Sequence, residues 1–215
     1  MDPRSDSDAR WLAAAERIHR GLNHDLSNRT AALSAVVAIL DGADADMVAR
    51  LRDEVERLDA LLRLKRLVPR VPNAPAEPVI PGDLVAEVLA LLAMVAEYRD
   101  TAVRCTPMSS APPLRCRPQA LQHALLLLLL AVGDAGQAPS LDVTHDDAAV
   151  TFGIGTSAGA AHDGPGAGDA VAAAAGALLS DDGALVWAAD DGGYRLRLPT
   201  LAALRARARV QAPPA

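Results

Sequence analysis

The chain has 215 residues, enough for one large domain or two small ones with a real core, and 51% of them are apolar although only 2% are aromatic. Ala, Leu and Val must therefore do the packing, which favours close helix–helix contacts over a large ligand cage. With 22% charged residues and a formal net charge of −6, the basic face of a nucleic-acid binder is absent, and weak attraction to nucleic acid or anionic lipid follows.

The polar, acidic start MDPRSDSDAR is the opposite of a signal peptide. Asp6 or Asp8 caps a helix whose pattern continues to about Leu40. Trp11, Ala15, Ile18, Leu22, Leu26, Leu33, Val36 or Val37 and Leu40 recur in steps of three and four. They draw one stripe along a helix of about 50 Å at about 1.5 Å per residue. Asp41–Asp44 forms a turn, with Asp44 as the next cap. The second helix carries Leu51, Val55, Leu58 and Leu62 in a heptad-like seam and ends near Val68-Pro69. Residues 1–70 thus form an amphipathic helical hairpin. A lone hairpin leaves both stripes uncovered, so the pattern predicts a homodimer closed as a four-helix bundle.

Prolines at 69, 72, 75, 78 and 81 mark residues 71–81 as an extended linker. Composition then changes. Gly82-Asp83 opens a helix to about Arg99, with strands at Ala102–Thr106 and Leu114–Arg117. Pro118 starts a helix to about Val132. Its apolar run, Ala124 to Val132, is nine residues, too short to span a bilayer. Strands at Leu141–Thr144 and Ala149–Ile154 precede a glycine-rich stretch, Gly155–Gly168, read as mobile. An Ala-rich helix over Ala170–Leu179 leads to strands Ala184–Ala189 and Tyr194–Leu198, joined by the turn Asp190-Asp191-Gly192-Gly193. Residues 82–200 therefore read as an α+β sandwich, and 201–215 as a short basic tail whose Arg205, Arg207 and Arg209 lie on a solvated helix face or in disorder. Cys105 and Cys116 are too few for a disulfide framework or a zinc site and read as free thiols of a soluble, cytoplasmic protein.

Chemistry concentrates at His24-Asp25-Leu26-Ser27-Asn28, in the middle of the first helix. His24 lies two residues, about 200° of rotation, from both Leu22 and Leu26, so it points to solvent when the stripe faces the core. Asp25 lies beside the imidazole; its carboxylate can hold Nδ1–H and leave Nε2 free as a nucleophile. Asn28, one turn on, can orient a water for hydrolysis. An isolated histidine on such a face is usually an ordinary surface residue. His123 reads as structural, and His145 and His162 as solvated.

His24-Asp25-Leu26-Ser27-Asn28, followed by Ala31-Ala32-Leu33, resembles the phosphoacceptor box of sensor histidine kinases. Leu121-Gln122-His123-Ala124-Leu125-Leu126 through Asp134-Ala135 is similar to the helix that carries that family's asparagine box. Asp182-Gly183-Ala184-Leu185-Val186-Trp187, with Asp191 to Pro199, resembles the closing strands of its ATPase domain. The fold implied is a helical hairpin forming a dimeric four-helix bundle, followed by a degenerate kinase-type ATPase sandwich.

The departures are specific. Leu127 and Ala131 stand where a kinase has asparagines to hold Mg²⁺, and neither has an oxygen for a hard cation. Gly153-Ile154-Gly155-Thr156 offers no carboxylate to read adenine before Asp163, and its spacing fits neither a Walker loop nor a dinucleotide fingerprint. Arg29 replaces the usual proline. With the histidine kept, the chain resembles the bacterial dimeric histidine phosphotransferases of phosphorelays. The resemblance implies transfer through His24 between receiver-domain aspartates, with Asp25 and Asn28 assisting. It implies no cofactor beyond Mg²⁺ brought by the receiver. His19, Arg20, Asn23, Ser27 and Ala31 join them in docking the receiver, and Arg20 can steady the phosphate. The implied partners are a second copy of the chain, response-regulator receiver domains and a hybrid histidine kinase, with neither nucleic acid nor membrane. Two other readings remain: a non-catalytic dimeric adaptor or inhibitor in two-component signalling, and a divergent ATP-using histidine kinase.

Overall fold

A proline-free run from Arg4 onward, rich in Ala, Arg and Leu, builds α1 (Pro3–Ala38) as one unbroken helix. The computed structural model describes residues 3–38, 45–67, 75–98, 104–105, 111–136, 138–156, 167–190 and 192–211. The predicted turn at 41–44 and most of the glycine-rich stretch lie outside them. α2 (Ala45–Leu67) returns along α1. Arg29 of α1, at the position where a proline would kink the helix, instead donates to both oxygens of Glu54 on α2 at 3.0 and 2.9 Å. Arg57 donates to the same carboxylate at 2.7 Å. The hydrogen bond from Arg29, with that from Arg57, holds the Glu54 carboxyl below its usual range against the opposing effect of desolvation.

The second unit is a mixed five-stranded sheet in the order β2 (Arg104–Cys105), β4 (Pro139–His145), β5 (Ala149–Thr156), β7 (Tyr194–Pro199), β6 (Leu185–Ala188). β2 runs parallel to β4, and the other neighbours are antiparallel. Register places Val143 opposite Phe152, and Phe152 opposite Leu196. These three, with Leu141, Ile154 and Leu198, form the buried face, while Asp142 and Thr144 face out. That alternation is the period of a sheet covered on one side.

Helices α3 (Pro81–Leu92), α4 (Pro118–Asp134) and α5 (Ala167–Leu178) supply the other layer. Every residue from Leu121 to Leu130 is buried. α4 therefore has no polar face, because the sheet lies on one side and α1, α3 and α5 on the others. Arg117, just ahead of it, pairs with Asp182 (Nε to Oδ2 3.0 Å) and donates to the Leu178 carbonyl at 2.6 Å, tying the start of α4 to the end of α5. Burial, and then the nearby Asp182 charge, push the neighbouring Cys116 thiol up to about 12, so it is free but inert.

Three sequence expectations need correction, and a fourth is decided between its two alternatives. α3 stops at Leu92, short of Arg99: the N–H groups of Met94 and Val95 turn to carbonyls three residues back, and a 3₁₀ turn follows at Ala96–Tyr98. The second half of the proline-rich linker is a strand, β1 (Glu77–Val79), antiparallel to β3 (Leu114–Cys116). A two-stranded edge tolerates Pro78, which has no N–H to give. Of the two readings of the tail the helix is the one observed, α6 (Leu201–Gln211), and its first turn is capped by Thr200, which accepts the Ala203 N–H at 3.1 Å.

The third correction concerns the stripe on α1. Ala14, Ile18 and Leu22 are buried in one core with the residues of α3, α4 and α5, so the first half of the stripe belongs to the sandwich of its own chain. A second copy is not needed to cover it. No described helix is long and apolar enough to cross a membrane.

Candidate functional site

Rotation of 100° per residue sets the face of α1 opposite the buried stripe. His19, Arg20, Asn23, His24, Ser27, Asn28 and Ala31 are all exposed on that side. Beside His24 runs a shallow groove of about 550 Å³ lined by Asn23, Leu26, Ser27, Thr30, Ala31 and Ser34. Along it the Thr30 and Ser34 hydroxyls fold back onto the carbonyls of Leu26 and Thr30, each at 2.9 Å.

The helix also decides which neighbour the imidazole meets. Asn28 is one turn along, and its Nδ2 lies 3.2 Å from His24 Nε2. An amide N–H donates, so Nε2 accepts through its lone pair and the ring proton is assigned to Nδ1. Asp25 was expected to hold Nδ1–H. It is half-buried, on the side of the packed stripe, and the bond to the ring comes from Asn28 instead. Residues adjacent in a helix diverge by 100° and do not face each other. Arg20, the expected phosphate contact, is exposed and bridges to Glu16 at 3.1 Å.

Nearer the start of α1 lie contacts with the sandwich that sequence reasoning missed. Trp11 stacks on His123 of α4 with ring centroids 3.4 Å apart and planes 13° from parallel. His123 is 2% exposed and both ring nitrogens lack a hydrogen-bond partner among the described residues. Burial pushes its pKa down to about 3. Arg17 donates to both oxygens of Asp134 at 3.0 Å. The Tyr98 hydroxyl donates at 3.1 Å to Asp134 and lies 3.2 Å from the Leu130 carbonyl. The one sequence signal for this seam was Gly21, a glycine inside a helix: a Cβ there would overlap the Met94 carbonyl. No group of acidic, histidine or cysteine side chains among the described residues could hold a metal ion.

No family model matches the chain, and no curated protein does. Solved structures do. Its structural neighbours are histidine kinase cores. The chain is similar to the Acinetobacter baumannii histidine kinase AdeS at 15% identity and a TM-score of 0.42, over 83% of this chain and 98% of that one. It is similar to the ATP binding domain of PrrB from Mycobacterium tuberculosis at 21% identity and 0.45, over 59% and 97%. With histidine kinase ThkA, solved in complex with the response regulator protein TrrA, the identity is 11% and the TM-score 0.47, over 89% and 63%. The expected fold class, α+β with a helical hairpin ahead of a sandwich, is the one observed.

Proposed function

We propose that the protein is a histidine phosphotransferase that carries a phosphoryl group on His24 between aspartates of receiver domains. The observation that carries this reading is the exposed imidazole on the face of α1 opposite its packed stripe, its Nε2 lone pair accepting from the Asn28 amide. Asn28 leaves Nε2 when a receiver docks. The Nε2 lone pair then attacks phosphorus, the P–O bond to the aspartyl oxygen breaks, and the receiver carboxylate departs with that electron pair. A second receiver's carboxylate reverses the step and regenerates neutral imidazole. His19, Arg20, Asn23, Ser27 and Ala31 line the approach, and rate depends on alignment and on the charge of the receiver's own divalent cation.

The side chains of α4 do not fit the magnesium–nucleotide complex of a kinase. Leu127 is buried and Ala131 half-buried, and both present hydrocarbon where a hard cation needs oxygen. Phosphate therefore enters from a partner. The stalk serves as a dimer: Val48, Val55 and Leu62, spaced by seven on α2, are 48%, 50% and 41% exposed, with half-buried Leu51 and Leu58 between them. That is a coiled-coil seam left open for a second copy.

The test is incubation of the purified chain with radiolabelled phosphorylated receivers. Acid-labile, alkali-stable label should appear on the wild type and vanish in His24→Ala, with no label from ATP alone. An unlabelled wild type across a panel of receivers would leave a non-transferring adaptor as the better reading.

A further inference from the structure

Arg17, Gly21, His24 and Asn28 fall at intervals of four, three and four, on one row of α1. The first two are held by the sandwich, and the last two form the candidate acceptor site. Gly21 precedes His24 by about 4.5 Å along the axis and Arg17 by about 10 Å. At Gly21 the helix backbone lies against the Met94 carbonyl. At Arg17 the guanidinium grips the Asp134 carboxylate, also reaches Glu97 at 3.8 Å, and lies over the Tyr98 ring, 5.8 Å from its centroid. Tyr98 is seated in turn because Gly133 has no side chain: a Cβ there would collide with the phenol ring. Arg17, Glu97, Tyr98, Gly133 and Asp134 wall a half-open cleft of about 440 Å³ at this junction. The edge of the sandwich thus ends one helical turn short of the imidazole.

We propose that Arg17, Gly21, Tyr98 and Asp134 form a latch that parks the sandwich on the first half of α1 and so keeps the face around His24 clear for a partner. Residues 68–76 join the sandwich to α2. Once unlatched, it remains tethered at high effective concentration beside the acceptor and competes with the partner for that face. Arg17 and Gly21 are positioning residues in this scheme and touch no reacting atom. The inference deepens the transfer reading and rests on it for the partner half alone.

The experiment uses the full chain in a Trp187→Phe background, so that Trp11, stacked on His123, reports the seam by fluorescence. Arg17→Ala and Gly21→Leu should move Trp11 emission to longer wavelength and raise the radius of gyration in X-ray scattering. KM for the phosphorylated receiver should rise five- to tenfold, with kcat within twofold. The charge swap Arg17→Asp with Asp134→Arg should restore all three. If Gly21→Leu does not fold by circular dichroism, Arg17→Ala and the swap decide alone. Unchanged emission and scattering in Arg17→Ala would overturn the latch. Altered emission with unchanged KM would overturn its role in partner access. A wild type that takes no label removes the transfer reading and the partner half with it, while emission and scattering still decide whether the latch exists.

Discussion

The two halves of α1 follow one helical periodicity and are put to opposite uses. From Trp11 to Leu22 the apolar face is sealed by α3, α4 and α5, with Ile18 and Leu22 fully buried. Beyond Leu22 the sandwich withdraws: Leu26, Leu33 and Val36 are only half-buried, and the polar face from Asn23 to Ala31 is open. The two histidines divide in the same way. His123, against the first half, is sealed and without ring hydrogen bonds among the described residues, and His24, in the second, is exposed and held by one amide. One helix therefore anchors a domain with its first half and displays chemistry with its second. The change falls at Gly21, where the backbone lies against the Met94 carbonyl.

Substitutions should separate the halves. Leu22→Ala, which empties a fully buried site, is expected to cost about 2–5 kcal/mol in urea unfolding, whereas Ser27→Ala on the open face should stay within about 0.5 kcal/mol. Equal costs would mean that the sandwich does not seal the first half.

Acid should act on the sealed side through His123. Its ring is kept neutral in the fold, with a pKa of about 3 against 6.5 when free. Below pH 6.5 the unfolded chain binds a proton that the folded chain refuses. The contribution is complete above pH 6.5 and is lost as pH falls toward 3, by roughly 1.4 kcal/mol per unit. Denaturant titrations of His123→Leu should show a correspondingly flatter dependence between pH 6 and 4.

The smallest effect is expected on the open side. Asn28→Ala removes the donor on Nε2, a bond of about 0.5–1.5 kcal/mol, and should speed label uptake from a phosphorylated receiver roughly two- to tenfold. Slower uptake would assign Asn28 a role in aligning the phosphoryl group instead.

Helical spacing made the exposure of His24 legible, since two leucines flank it at equal rotation, and alternation made the sheet strands legible to within a few residues. The reading of Asp25 as the ring's partner went wrong because adjacent residues on a helix point apart, and Asn28, one turn on, meets the ring instead. Nothing local revealed Arg17 with Asp134, 117 positions apart, or Trp11 on His123. The end of α3 was also hidden: the pattern runs on, and only the turn that buries Tyr98 stops it.

What the sequence determined by itself was local: which segments are helix or strand, which face of each is apolar, and that position 24 points outward. Only the tertiary structure decided what each apolar face meets. The periodicity of α1 is satisfied equally by a second copy of the hairpin or by the chain's own sandwich, because hydrophobic burial has no direction. The choice was made by a glycine that permits close approach, and by an ion pair and a ring stack whose partners come together only when the chain folds.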